Sequence, residues 1–451
     1  MNKKIALISE HASPLAVLGG IDSGGQNVYV TELAKELAKQ GYDIDIFTRK
    51  DDAALPKIVP IFSGVRVIHV DAGPAIPIPK EELLVYMDDF RRDMVAFIQQ
   101  EHIVYRLVHA NFWMSALVGL QLKKLYGIPL VVTFHALGKV RRFHLGQQDR
   151  FPDERIKIEE KIARKADCII AECPQDKEDL INLYGANPAH IAIVPCGFSP
   201  TEFYPIAKKE ARKHLKLPAN DRIILQLGRM VPRKGIDNVI KSLKYIEHAR
   251  VRLVVVGGEG GKKQFLASPE YKRLKRIAVE YGKNAIVEFV GPKGRDQLKY
   301  YYNAADVFIS TPWYEPFGIT PLEAMACGTP VIGSNVGGIK YSVLNGITGY
   351  LVEPKQPVQL AQAVQLLFEC DSQQMGRNAI QRVNQMFTWQ KISNTMSRIY
   401  DMLILAANKP SNRNERIHTE LGVEGQIKAL SRERSYTVLP AQTFTKQHHA
   451  S

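Results

Sequence analysis

The chain is predicted to be an α/β protein built from two doubly wound parallel sheets that face each other across a cleft. Three observations predict it. Short, continuously apolar runs alternate with helical patterns from the first residues onward, as parallel strands buried on both faces require. The alternation comes in two separate series, and its periodicity breaks once, at 198–221, where Pro, Lys and Arg accumulate. The 451 residues, 45% hydrophobic and 24% charged, are ordinary globular composition and long enough for two large α/β domains.

In the first series IALIS (5–9), DIDIFTR (43–49), VRVIHV (65–70), RLVHA (106–110), PLVVTFH (129–135), CIIAEC (168–173) and IAIVPCG (191–197) read as strands. After the first of them, Val30, Leu33, Ala34, Leu37 and Ala38 follow i, i+3, i+4, i+7, i+8, and Gly41 ends that helix. The second series is IILQLG (223–228), VRLVVVG (251–257), AIVEFVG (285–291), VFISTP (307–312) and PVIGS (330–334). One helical stretch, about 376–405, follows it, and residues 409–451 have no period and read as a largely disordered tail. The domain boundaries expected are 1–205, joined by a helix at about 387–406, and 206–386.

Composition excludes several classes. The apolar content argues against dominant disorder, and no uncharged apolar run approaches the ~18 residues of a membrane-spanning helix. MNKKIALISEH has too few apolar residues before Ser9 and Glu10 for a signal peptide, so a cytoplasmic protein is expected. The five cysteines form no C-x-x-C pair and read as buried thiols. The +14 net charge is spread among acids, with no Lys/Arg run longer than two and no aromatic-interleaved basic stripe. Nucleic acid is therefore not an expected partner, whereas peripheral membrane contact is compatible with this charge.

Ligands of open α/β sheets bind beyond the carboxyl ends of strands, so loops that follow strands are the informative ones. In GGIDSGGQNVYV (19–30), Gly24-Gly25 opens a helix whose unpaired N–H groups suit a phosphate, although the spacing is not G-x-G-x-x-G. In LGRMVPRKG (227–235), Arg229 and Lys234 flank a proline turn and can point at one anion, while Arg233 reads as a solvated cation. In STPWYEPFGITPLEAMACGTPVIGS (310–334), Glu315 and Glu323 lie eight apart, with Pro321 suited to open a helix and Glu323 in its first turn. These two carboxylates fit either a general acid/base pair or acceptors for sugar hydroxyls. His135 ends a buried strand, and His109 is the other histidine near a strand end with a plausible place in the cleft. Asp43-Ile44-Asp45 reads as a half-exposed strand, and no metal site is expected.

These strings carry a resemblance. E-P-F-G-x-x-P-L-E-A, with Glu315 and Glu323 in an E-x7-E arrangement, and G-R-x-x-x-x-K-G at 228–235 resemble the retaining GT-B glycosyltransferases of family 4. The opening LISEHASPL, the run GGQNVYVTELAKELAKQGYDIDIFTR and TFHALGKV (133–140) are similar to a subgroup holding sucrose-phosphate synthases, sucrose synthases and the inositol-phosphate N-acetylglucosaminyltransferase of mycothiol synthesis. The resemblance covers roughly residues 3–405.

It implies a GT-B fold, with acceptor binding in the first domain, nucleotide-sugar binding in the second, and the final helix, with Trp389, returning to the first. A hexosyl unit would pass from a nucleotide-diphosphate sugar to a sugar or sugar-phosphate acceptor, with no metal or other cofactor. Arg229 and Lys234 would neutralise the diphosphate, Glu323 would meet the ribose, Glu315 the donor sugar's 3-hydroxyl, and His135 its 6-hydroxyl. Gly24, Gly25, Phe317, Gly318, Ile319 and Thr320 would contact the donor. Lys80 and Arg155 fall where cations hold a phosphorylated acceptor, and Asn27 is near enough to touch it, yet Phe112 and Ala136 stand where hydroxyl-bearing residues are expected. Departure of a diphosphate builds negative charge that two cations and two helix N-termini can stabilise. A nucleotide-sugar epimerase of the same architecture and a non-catalytic nucleotide-sugar-binding protein are the rival readings. Nothing in the sequence specifies an oligomeric state.

Overall fold

The strand KIALI, β1 (Lys4–Ile8), is buried along its whole length, as a central parallel strand must be. Around it the computed structural model, which describes residues 3–16, 24–370 and 372–408, assembles an eight-stranded sheet. Its other members are β2 (Asp43–Arg49), β3 (Ile58–Phe62), β4 (Val65–Val70), β5 (Val108–Asn111), β6 (Leu130–Thr133), β7 (Cys168–Ala171) and β8 (Ile191–Ile193). The order is β3-β4-β2-β1-β5-β6-β7-β8. A second sheet of six strands contains β9 (Arg222–Leu227), β10 (Val251–Val256), β11 (Val287–Gly291), β12 (Val307–Ser310), β13 (Val331–Ser334) and β14 (Gly349–Val352), in the order β11-β10-β9-β12-β13-β14. Strand order reverses beside β1, between β2 and β5, and beside β9, between β10 and β12. The loops leaving β1, β5, β9 and β12 therefore bound the two crevices where this architecture takes ligands.

Several expectations need correction. Strand β3 is absent from the sequence reading because IVPIF is half exposed and carries Pro60; it pairs antiparallel with β4 at the sheet edge, where a residue lacking an N–H is tolerated. Strand β14, GYLV, is too short to carry a period. Strand β2 is not half exposed: all of it after Asp43 is buried, and Asp45, at 0% exposure, is ion-paired with Lys4 and Arg66. The final helical stretch is two helices, Ser372–Met386 and Trp389–Ala407. Phe387 and Thr388 break it: the Phe387 carbonyl accepts from Phe198 N–H at 2.8 Å, and the Thr388 side chain caps the second helix at Lys391 N–H. The expected tail, 409–451, lies outside the described residues, as does 17–23 of the first glycine-rich loop.

The helix Trp389–Ala407 returns to the first sheet and packs on the helix Gly25–Ala38. Tyr42 donates to Asp401 at 2.7 Å, Gln40 to Ser393 at 2.8 Å, and His109 Nδ1 meets the Tyr400 hydroxyl at 2.5 Å. One apolar cluster runs from Ile5, Tyr29 and Leu33 through Phe198, Phe203 and Trp389 to Tyr302 and Phe308, which joins the two sheets. Among the described residues, no helix is long and apolar enough to cross a membrane.

Candidate active site

Two helix N-termini meet between the sheets. Gly24 precedes the helix Gly25–Ala38, and its N–H donates to Asn27 Oδ1 at 2.8 Å, while Asn27 Nδ2 donates to the Ser13 carbonyl at 2.9 Å. The Asn27 amide, expected to touch an acceptor, is thus turned onto the backbone of its own loop. A Cβ on Gly24 would lie 3.4 Å from Arg229 Nε, and one on Gly25 would lie 3.9 Å from Ile319 Cδ1. Ile319 is the first residue of the helix Ile319–Ala326, so the positive ends of both helices border one space. That helix begins two residues earlier than expected: Pro321 is its third residue, where a missing N–H again costs nothing, and Glu323 lies beyond the first turn.

The loop after β9 is pressed onto the loop after β12. Gly235 has φ +69°, and a Cβ there would meet the Thr311 carbonyl oxygen at 2.1 Å, so only glycine permits the approach. The approach brings Lys234 Nζ into hydrogen-bond contact with Glu315 Oε2, while Arg233 Nη1 stands 3.4 Å from the same oxygen and its guanidinium lies 5.2 Å over the Tyr314 ring. Arg233 is therefore part of the cluster rather than a solvated cation. The Glu315–Phe317 backbone is seated on Gly337 and Gly338: a Cβ on Gly337 (φ +45°) would lie 1.8 Å from the Glu315 carbonyl. Burial alone would push the Glu315 carboxyl up, but Lys234, Arg233 and Arg229 outweigh it and hold it down to about 2. Burial lowers Lys234 to about 8 against the attraction of Glu315, with Arg233 and Arg229 pushing the same way as burial.

Glu323 is buried, with Oε1 accepting from Arg295 Nη1 at 2.9 Å and Oε2 from the Tyr302 hydroxyl at 2.8 Å. Arg295 is additionally held by Glu202 at 2.5 Å, which with Glu323 raises it further despite burial, and among the described residues its buried Nη2 has no partner. On the other sheet, His135 follows β6 with φ +56°; Nδ1 faces Glu172 Oε1 at 3.0 Å and Nε2 faces Asn111 Oδ1 at 3.0 Å. Its ring stands edge-on to Tyr29, with centroids 4.8 Å apart. His109 is not in the cleft: it lies inside the sheet between Tyr400 and Thr133, and burial brings it down to about 3.

Two adjoining hollows share Gly24, Gly25, Arg229, Arg233, Glu315, Gly318 and Ile319, and so form one cleft. The first also takes in Lys234, Arg295, Thr320 and Glu323 and the ends of β9–β11; the second takes in Asn27, Lys80, His135, Arg155 and Phe317. Arg155 reaches the second as a pillar. It is 1% exposed, donates to Glu159 at 2.7 Å and to the Ala136 carbonyl at 2.6 Å, and stacks 4.4 Å from the Phe151 ring centre, which leaves Nη1 without a partner among the described residues. Sequence reasoning missed Arg141, Arg295, Glu172 and His11, all of which line the cleft. A signal existed for Glu172, because it directly follows a buried strand; the others became visible only when loops distant in sequence converged.

Facing open sheets, with cations and helix N-termini gathered beyond the strand ends, define a GT-B glycosyltransferase. Residues 207–382 match the glycosyl transferases group 1 and residues 23–202 match glycosyltransferase family 4. The chain belongs to the family 4 glycosyltransferases. It is 32% identical over 410 residues to a D-inositol 3-phosphate glycosyltransferase of Corynebacterium diphtheriae, covering 89% of this chain and 95% of that one. It is 36% identical over 367 residues to the Streptosporangium roseum enzyme of the same name, covering 80% and 84%. Among solved structures, a sucrose-phosphate synthase from Thermosynechococcus elongatus superposes with a TM-score of 0.83 at 35% identity, over 90% of this chain and all of that one. Anabaena HepE in complex with UDP shares the fold, with a TM-score of 0.71 at 20% identity over 88% of this chain and 100% of that one.

Proposed function

We propose that this glycosyltransferase moves a hexosyl unit from a nucleotide-diphosphate sugar to a sugar or sugar-phosphate acceptor, with retention of configuration and without a metal. One observation carries the reading: Arg229, Arg233 and Lys234 are drawn around Glu315 beside two helix N-termini. Leaving-group departure concentrates negative charge on the diphosphate and positive charge on the sugar ring. Arg229, Lys234 and the amide dipoles at Gly25 and Ile319 stabilise the first without a cation from solution. Glu315, held ionised by its cations, accepts from the donor sugar's 3-hydroxyl. Glu323 retains acceptor capacity for the ribose, because a carboxylate offers about four lone-pair sites. The His135 ring, braced by Glu172 at Nδ1, exchanges Asn111 at Nε2 for the 6-hydroxyl, and the departing phosphate oxygen takes the acceptor's proton. Phe317, Gly318, Ile319 and Thr320 supply backbone contacts to the sugar and diphosphate.

The second domain thus holds the nucleotide and the first the acceptor. Lys80, with Arg141 and the remaining Nη1 of Arg155, favours a phosphorylated acceptor, in keeping with the names of both relatives and of the sucrose-phosphate synthase. The test is a mass-spectrometric screen of UDP-, ADP- and GDP-sugars against fructose 6-phosphate, inositol 3-phosphate, fructose and inositol. One donor–acceptor pair should give a product whose anomeric configuration by NMR matches that of the donor, and turnover should survive EDTA. An inverted product, or isomerised donor when acceptor is omitted, defeats the reading. Lys80→Ala should raise the KM of a phosphorylated acceptor about tenfold, the worth of one charge-assisted bond, and equal use of neutral acceptors would remove the phosphate pocket.

The pH dependence follows from Lys234. In the free protein its ammonium is lost as pH rises through about 8, so kcat/KM for the donor should fall about tenfold per unit above that value. Lys234→Arg should abolish this alkaline limb, because a guanidinium keeps its charge throughout the range. A wild-type profile flat to pH 9.5 contradicts the assignment.

A further inference from the structure

Three neighbouring strands of the first sheet, β6, β7 and β8, run side by side, and each is followed by one residue that lines the second hollow: His135, Glu172 and Cys196. Glu172 is 3% exposed. Its Oε1 faces His135 Nδ1 at 3.0 Å and accepts from the Cys196 thiol at 3.2 Å. Burial and the Glu172 charge push that thiol well up, so it stays a donor. The Glu172 N–H donates to Asp176 Oδ2 at 2.9 Å. Burial and the Glu172 charge push Asp176 up to about 8, so of these two neighbouring carboxyls Glu172 carries the charge at neutral pH. One of its oxygens is thus committed twice. The other, Oε2, has no partner among the described residues, and the hollow is the space from which one can come. Arg155, a cation lining the same hollow, is already paired with Glu159 at 2.7 Å.

We propose that Glu172 selects the donor sugar at C6: its open Oε2 accepts a hydrogen bond from the hydroxymethyl group of a neutral hexosyl unit and repels a unit whose C6 is a carboxylate. This deepens the glycosyl-transfer reading and rests on it. That reading sets the 6-hydroxyl against His135, and Glu172 is hydrogen-bonded to the same ring, so its charge stands at that end of the sugar. Glu315 is assigned the 3-hydroxyl, across the ring from C6. A hydroxymethyl group supplies the donor that Oε2 lacks, whereas a hexuronosyl unit brings a second negative charge to one already buried.

Three donors on one nucleotide supply the test: a hexosyl, a pentosyl lacking C6 and a hexuronosyl, which for a uridine-using protein are UDP-glucose, UDP-xylose and UDP-glucuronic acid. With the best acceptor from the panel above, kcat/KM should fall about tenfold from the hexosyl to the pentosyl donor, the worth of one hydrogen bond to a carboxylate. It should fall about tenfold further to the hexuronosyl donor, where like charges meet. Glu172→Gln keeps an acceptor for His135 and Cys196 but sets an amide N–H in place of Oε2. It should slow hexosyl transfer and narrow the hexosyl-to-hexuronosyl ratio about tenfold. Glu172→Asp, which keeps the charge, should slow both donors without narrowing the ratio. Calorimetric affinity for the bare nucleotide should hold in both variants. A hexuronosyl donor as fast as the pentosyl one, or a ratio that Glu172→Gln leaves within threefold of wild type, overturns the inference while leaving the transfer reading intact. The donor series on the unaltered protein decides by itself where a variant fails to fold. An unaltered protein that binds none of UDP, ADP and GDP and transfers from no donor overturns the reading itself, and this inference with it.

Discussion

Lys234→Ala is expected to lose about two orders of magnitude in kcat/KM for the donor, and Arg229→Ala between one and two. A charge-assisted hydrogen bond contributes about 1.5–3 kcal/mol, and each 1.36 kcal/mol is about tenfold in rate. Lys234 belongs at the upper end because its removal has a second consequence: Glu315, whose nearest cation it is, is left buried with Arg233 at 3.4 Å and loses the partner that fixes its carboxylate. Arg229→Ala leaves the Lys234–Glu315 pair intact. The two sites contribute to one field, so the double variant should depart from the product of the single effects. Steady-state kinetics with donor varied at saturating acceptor measures all three. Turnover of Lys234→Ala within twofold of wild type would mean that the cluster serves the fold and not the leaving group. Lys234→Met, which keeps the apolar stem but drops the charge, separates those two roles, and it should be as slow as Lys234→Ala.

Why this cluster was partly legible in the sequence has a physical answer. Arg229, Lys234 and Glu315 lie in segments that follow apolar strands, with Glu323 in the helix just beyond, and strand-following segments in an open α/β sheet border the ligand crevice wherever the strand order reverses. They follow β9 and β12, the strands that border the reversal of the second sheet. Buried parallel strands such as KIALI and VRLVVV announce themselves because both faces are covered. Edge strands with one open face, IVPIF and GYLV, do not. Arg233 illustrates what position alone leaves open: one residue from Lys234 and equally basic, it was read as solvated. It joins Glu315 because glycine at 235 lets two loops touch. Arg155 is the converse, a cation expected to hold an acceptor that lines the hollow while its Nε and Nη2 are committed to Glu159 and the Ala136 carbonyl.

The second large effect is one of stability. Trp389→Ala should cost about 3–5 kcal/mol, the range for deleting a large buried aromatic ring. Trp389 is 2% exposed and opens the returning helix just after its break. Its ring covers Gly197 so closely that a Cβ there would lie 2.8 Å from it, and its backbone N–H donates to the Phe198 carbonyl at 3.1 Å. It therefore ties the segment between the sheets to the helix that returns to the first one. Its other contact is edge-on to Tyr29, 5.7 Å between centroids, and Tyr29 in turn stands edge-on to His135. The cavity left by truncation would loosen the ring against which His135 is set, so kcat should fall with stability, and nucleotide affinity, which the proposed function assigns to the other sheet, should hold. Trp389→Phe should recover most of the stability. It keeps an aromatic face toward Tyr29 and removes a buried indole N–H that has no partner among the described residues, whose desolvation favours its loss. Urea unfolding and nucleotide calorimetry on the two variants distinguish the outcomes. A Trp389→Ala protein with unchanged midpoint, or one that loses nucleotide affinity and acceptor turnover together, would show that the returning helix does not support His135 through Tyr29.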